Sequence, residues 1–181
     1  KLFYDEGDGN LSATLEAYYA LLYSGYYSKN EPRLKAAKQF ILANGGIEGA
    51  SMYTKIMLAI TGQYNWPLFF PIPLETILLP PSFPVNFYSF SVFGRANLAP
   101  IMILADKKFQ LKTKDAPDLS DLFMRQDTDW KSGDWRSLYS LLANGINNLI
   151  GLPKQIHKLA IEQAKQYMLA RLERDGPFLG F

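Results

Sequence analysis

Leu11-Ser12-Ala13-Thr14-Leu15-Glu16-Ala17-Tyr18-Tyr19-Ala20-Leu21-Leu22-Tyr23-Ser24-Gly25 decides the class of this chain. Apolar side chains recur at 11, 15, 18 and 22, the spacing that lines one face of an α-helix. Asn10 or Ser12 is placed to cap its start, and Gly25 to stop it. The same signals repeat downstream. Pro32 opens a second helix from its first turn, RLKAAKQFILAN continues it, and Gly45-Gly46 closes it. In that helix the apolar positions 34, 37 and 41 and the basic positions 33, 35 and 38 fall on different faces.

A third helix is predicted over about 50–61. Six prolines between Pro67 and Pro84 then forbid any long helix, leaving room for one short turn at Leu74 to Leu79. With that much proline the apolar stretch is no membrane span. Asn86 to Asp106 reads as helix, broken or kinked near Pro100, and 107–133 as a long polar loop. Asp134 caps a further helix to about Ile150. Pro153 opens a last amphipathic helix to about Asp175, closed by Gly176. No strand alternation is present, so the expected class is all-α, one domain of six or seven helices in antiparallel pairs.

Composition bounds the function. The 181 residues are 48% hydrophobic and 14% aromatic, with 11 Tyr, 12 Phe and 3 Trp, enough for a sizeable core and unlike a disordered tail. The net charge is +2 with Lys and Arg dispersed, so nucleic acid is a poor partner. No cysteine is present, which excludes disulfides and thiol catalysis and fits a cytosolic chain. One histidine, His157, rules out a His-rich metal site. It lies in an amphipathic helix, where a surface or boundary position is expected. No phosphate loop or nucleophile motif suggests a free-standing enzyme of another class. Lys1 to Asp5 is no signal peptide and reads as the middle of a longer chain.

Several ordered segments resemble the squalene-hopene cyclase family. Leu11 to Tyr18 is similar to its L-S-A-T-x-E-A-Y helix, and Phe40 to Ile47 (FILANGGI) to its W-I-L-x-x-G-G helix end. Thr54 to Ala59 (TKIMLA) resembles T-R-x-x-L-A, and Gly62 to Pro67 (GQYNWP) resembles G-x-Y-x-W. Leu79-Pro80-Pro81 with Pro84 to Tyr88 (PVNFY) is similar to L-P-P…P-x-N-x-Y, and Phe93-Gly94-Arg95-Ala96 to W-A-R-A. Each is weak alone; their order and spacing from Leu11 to Ala96 make the match specific. Ala160 to Gly176 resembles the segment leading into the next repeat. Details such as Tyr167-Met168-Leu169 with Glu173 to Gly176 look closest to the sporulenol synthase-like branch that cyclises tetraprenyl-β-curcumene as well as squalene.

The resemblance implies a fold of two α/α barrels around a cavity, with this chain supplying part of the inserted barrel. It implies a cofactor-free, protonation-initiated cyclisation of squalene or a related C35 polyprene. The Asp-x-Asp-Asp acid motif of that reaction is missing. Asp127-Thr128-Asp129-Trp130 comes nearest and reads as a solvated loop. The chain alone is therefore expected to be inactive, its chemistry completed by the remaining barrel. Phe93 stands where the family has a cavity-lining Trp and keeps a π face for a developing cation. Met57 is a second lining candidate, against the alternative of core filler.

Glu16 and Lys55 match a Glu and an Arg of the family motifs. They read either as an ion pair supporting the cavity wall or as a structural or solvent-exposed pair; Lys for Arg loses bidentate geometry. Arg95 is expected to anchor a helix. The segment Trp135 to Leu152, with Trp135, Leu138, Leu142, Ile146 and Leu149 on its apolar side, reads as an interfacial helix or as core. As family members are monotopic, the resemblance implies peripheral attachment at the inner face of the cell membrane. Truncation would expose apolar surface and favour a homodimer or larger self-association. The alternative function is a non-catalytic helical module that binds an apolar ligand or docks on membrane.

Overall fold

In a computed structural model, residues 8–67, 70, 72–83, 86–124 and 153–172 are described. Among them are five α-helices, some short 3-10 turns and no β-strand, so the chain is all-α. They gather into two compact units. The first holds the residues up to Trp66 together with those from Gln110; the second holds Pro67 to Phe109 together with 153–172.

The first unit begins with α1, Leu11–Tyr23. Of the two candidate caps, Asn10 does the capping, accepting from the Ala13 N–H at 2.8 Å. Leu15 and Tyr18 form its buried face. The helix α2, Pro32–Ala43, packs against α1 and carries proline in its first turn, where a missing N–H costs nothing. It ends in a Schellman motif: Gly46 N–H donates to Ile41 O at 2.9 Å and Gly45 N–H to Leu42 O at 3.2 Å. Gly46 has φ +64°, and a Cβ there would lie 2.6 Å from the Leu122 carbonyl oxygen, so backbone angle and close approach both demand glycine. The helix α3 spans Met52–Ile60, shorter at both ends than the predicted 50–61, because Ser51 takes the cap. The described part of the expected 107–133 loop is anchored: Leu119 and Leu122 are buried beside a 3-10 turn at Ser120–Leu122, and Leu111 N–H donates to Ile60 O at 2.7 Å.

The second unit centres on Leu74, Ile77, Phe87, Ala99, Met102, Ala160, Ala164 and Tyr167. Leu74 and Ile77 come from a 3-10 turn at Leu74–Leu78, close to the expected turn. The continuous reading from Asn86 is corrected: Phe87–Ser89 is a separate 3-10 turn, and α4 runs Val92–Asp106. Ser91 caps α4 by accepting from Gly94 N–H at 3.1 Å. Pro100 lies inside α4 without ending it. It forgoes one rung of the ladder, while the buried Ala99 and Met102 hold the helix to the core on either side.

Asn86 is itself buried. Its amide donates to the Phe83 and Pro81 carbonyls at 2.8 and 3.3 Å, pinning the proline-rich run. The last helix, α5, is Pro153–Leu169 and stops short of the expected Asp175. Ile156, Ala160, Ala164 and Tyr167 line its buried face at spacings of four, four and three. The two alanines let it lie close against the 74–78 turn and α4. No helix among the described residues is long and apolar enough to cross a membrane.

Candidate functional site

The first unit holds an apolar groove between α1 and α3 with a cavity volume of about 270 Å³. Its walls are Glu16 and Tyr19 from α1 and Tyr53 and Met57 from α3, with Thr54 and Leu58 beneath. A chain of hydroxyls builds it. Ser12 Oγ, at the start of α1, accepts from Ser51 N–H at 2.8 Å. Ser51 Oγ caps α3 and lies 2.9 Å from Thr54 Oγ1. The Thr54 hydroxyl, 1% exposed, donates to Glu16 Oε1 at 2.7 Å. The Glu16 carboxylate is thus held at the groove's rim by a buried, fully committed donor. Tyr53 and Met57 are 67% and 57% exposed, so the opposite wall is open apolar surface. Tyr19 also stands beside Tyr23, ring centroids 5.8 Å apart. The arrangement can receive an apolar body and offers it one carboxylate acceptor and two aromatic rings.

In the second unit Arg95 does anchor its helix. Its Nη1 donates to the Phe90 and Tyr88 carbonyls at 2.7 and 2.9 Å, and its Nε to Tyr167 Oη at 3.3 Å. Tyr167 in turn meets Phe87 edge to face at 5.0 Å and lies under the Arg171 guanidinium, 3.6 Å from the ring centre. Phe93, in the first turn of α4, is 60% exposed.

The profile of the squalene-hopene cyclase N-terminal domain matches residues 1–181. The chain belongs to the squalene-hopene cyclase family. That family is one of terpenoid-cyclase α/α barrels. The chain is 34% identical to sporulenol synthase of Bacillus subtilis, over 98% of this chain and 29% of that protein. It is 33% identical to squalene–hopene cyclase of Zymomonas mobilis (97% of this chain, 27% of that one). To the squalene–hopene cyclase of Alicyclobacillus acidocaldarius it is 30% identical (98% and 28%). It therefore spans under a third of the length of these cyclases.

Within this family member the expected site residues separate. Glu16 and Met57 share the groove of the first unit, and Phe93 belongs to the second. Glu16 and Lys55 do not form the expected pair: Glu16 is bonded to Thr54, and the carboxylate that bears on Lys55 is Glu48. Burial pushes the Lys55 ammonium below its ordinary range, and Glu48 only partly offsets this. Glu48 also accepts from Met124 N–H at 3.1 Å, tying the 47–49 turn to the 120–122 turn. Asp127 to Trp130 and the candidates Trp135, Leu138, Leu142, Ile146 and Leu149 lie outside the described residues. No group of carboxylates and histidine among the described residues is arranged to hold a metal.

Two polar centres escaped the sequence reading. Asp121 accepts from Lys29 at 2.8 Å and Lys38 at 2.5 Å, closing α2 onto the 120–122 turn. His157 is a boundary residue as expected, yet both its ring nitrogens face carboxylates, Glu75 at 2.8 Å and Asp106 at 3.0 Å. The only sequence signal for the latter was that the sole histidine sits on α5; nothing local points to its partners.

Proposed function

We propose that this chain is part of the inserted helical barrel of a class II triterpene cyclase and that its α1–α3 groove is a section of the substrate-cavity wall. The parent enzyme cyclises squalene or a C35 polyprene such as tetraprenyl-β-curcumene through a carbocation cascade, an isomerase or hydro-lyase type of reaction. One observation carries the assignment to the groove: open aromatic and thioether surface at Tyr19, Tyr53 and Met57 lies beside a single carboxylate fixed by a buried hydroxyl. A polyprene needs a dry apolar wall to fold against, and its cations gain from π faces that cannot capture them. Glu16 would hold a water or hydroxyl at that wall. Phe93, exposed at the start of α4, is by itself a candidate for lining the parent's cavity with a π face.

The test uses the full-length parent. Met57→Glu puts a charge on the groove wall and is expected to lower squalene or C35 turnover and increase incompletely cyclised products. Lys35→Glu on α2 serves as the surface control. Unchanged rate and product pattern in Met57→Glu would remove the groove from the cavity. The 181-residue chain alone is expected to turn over neither substrate.

We further place the parent on the cytoplasmic face of the cell membrane through the apolar side of 135–152, a reading supported by Leu138, Leu142, Ile146 and Leu149 on one helical stripe of the sequence. Flotation of the parent with anionic lipid vesicles, lost on Leu142→Glu with Ile146→Glu, is the expected result. Flotation unaffected by that pair would overturn the placement.

A further inference from the structure

His157 joins three elements of the second unit. It stands on α5, its Nδ1 is 2.8 Å from Glu75 Oε1 on the 74–78 turn, and its Nε2 is 3.0 Å from Asp106 Oδ1 at the end of α4. An ionised carboxylate can only accept, and a neutral imidazole has one N–H to give. Both contacts are hydrogen bonds together only when the ring carries two protons and a positive charge. Remove one proton and a ring lone pair faces a carboxylate. We propose that His157 is a proton-operated clasp: as imidazolium it locks α5 onto the 74–78 turn and α4, and on losing its proton it loosens that junction.

The surroundings support the charged form. Asp106 is the last residue of α4, where the helix dipole already places negative charge, so an unpaired carboxylate there is unfavourable and a cation beside it favourable. From the turn the facing charge is Glu75 and from α4 it is Asp106. Beyond Asp106, Lys107 follows and the Lys108 ammonium donates to the Pro67 carbonyl. On α5 itself Lys154, Lys158 and Glu162 are exposed. Burial works against the imidazolium, but the hydrogen bond to Glu75 and the two carboxylate charges outweigh it and hold the His157 pKa above the ordinary 6.5. The sign follows. A group whose pKa is raised on folding stabilises fully below its unfolded pKa, about 6.5, and loses that contribution as pH rises through the folded value. The clasp is closed in mild acid and opens towards alkaline pH. It acts at the edge of the core formed by Leu74, Ile77, Met102 and Ala160, which keeps α5 docked while the clasp opens.

Because His157 is the only histidine of the chain, an untagged sample gives one imidazole Hε1 signal. Its NMR titration is expected to have a midpoint above 6.5, lowered by Glu75→Gln and again by Asp106→Asn. Hydrogen exchange in α5, corrected for intrinsic base catalysis, should speed up about two- to fivefold as pH passes that midpoint, the range of a half-exposed charge pair. The step should vanish in His157→Gln. A midpoint at or below 6.5 in the unmodified chain overturns the proposal whether or not the variants fold. So does a midpoint indifferent to both carboxylate variants, or an exchange step that persists in His157→Gln.

Discussion

Thr54→Val tests whether a single buried hydroxyl positions the groove carboxylate. Valine keeps the shape of threonine, so no cavity opens at a side chain that is 1% exposed. The change removes the donor that reaches Glu16 Oε1 at 2.7 Å and the contact with Ser51 Oγ at 2.9 Å. Hydrogen bonds to charged groups contribute about 1.5–3 kcal/mol. The Glu16 carboxylate is exposed, however, and water replaces the lost donor, which pulls the figure down. Burying a methyl in place of a hydroxyl offsets a little more. The expected net cost is about 1–1.5 kcal/mol. It should appear as a lower urea midpoint and as faster hydrogen exchange in peptides covering α1 and α3, with α5 unaffected. Glu16→Gln keeps an acceptor at the same place and should cost less. The double variant should then be less harmful than the sum, with a coupling of about 0.5–1 kcal/mol. A Thr54→Val cost under about 0.3 kcal/mol, or strict additivity with Glu16→Gln, would show that the hydroxyl does not hold the carboxylate.

Three other outcomes follow from the geometry. Phe87→Ala removes a fully buried ring that meets Tyr167 edge to face at 5.0 Å and should cost about 3–5 kcal/mol in thermal or urea unfolding, read on α4 and α5. Arg95→Lys keeps the charge but cannot reach two carbonyls and a phenol from one planar group; a loss of about 1 kcal/mol and faster exchange at the start of α4 are expected, and no change would deny the anchor. Asp121 is opposed by burial, but the hydrogen bonds from Lys29 and Lys38 outweigh it and lower its pKa. Its contribution is therefore complete above the ordinary carboxylate range and lost as pH falls through the folded value. Asp121→Asn should accordingly flatten the acid limb of the first unit's stability curve, and an unaltered limb would count against the pairing.

Local signals marked the fold. Proline at position 32, the Gly45-Gly46 pair and the turn at Leu74 each act through neighbouring backbone, so their effect is readable in a short window. Pro100 signals a break or a kink, and the structure carries α4 through it, because the cost of that proline is set by what lies across from it. Buried Ala99 and Met102 keep α4 continuous past the missing rung, and no window on the chain shows that core. The Glu16 pairing failed for a related reason. Thr54 and Lys55 are adjacent in sequence but about 100° apart around α3, so only one of them can face α1. Thr54 is buried and already follows Ser51 in the cap, which turns its hydroxyl towards Glu16. Lys55 is then carried to the face where Glu48 bears on it. The motif match pairs Glu16 with Lys55, whereas in the structure it is Thr54 that meets the carboxylate. The cap residue decides that, because Ser51 fixes where α3 begins and hence the face on which each later side chain emerges. The groove at Met57, two positions beyond Lys55, inherits the same rotation: a cap shifted by one residue would turn its thioether away from Tyr19 and leave Glu16 without its donor.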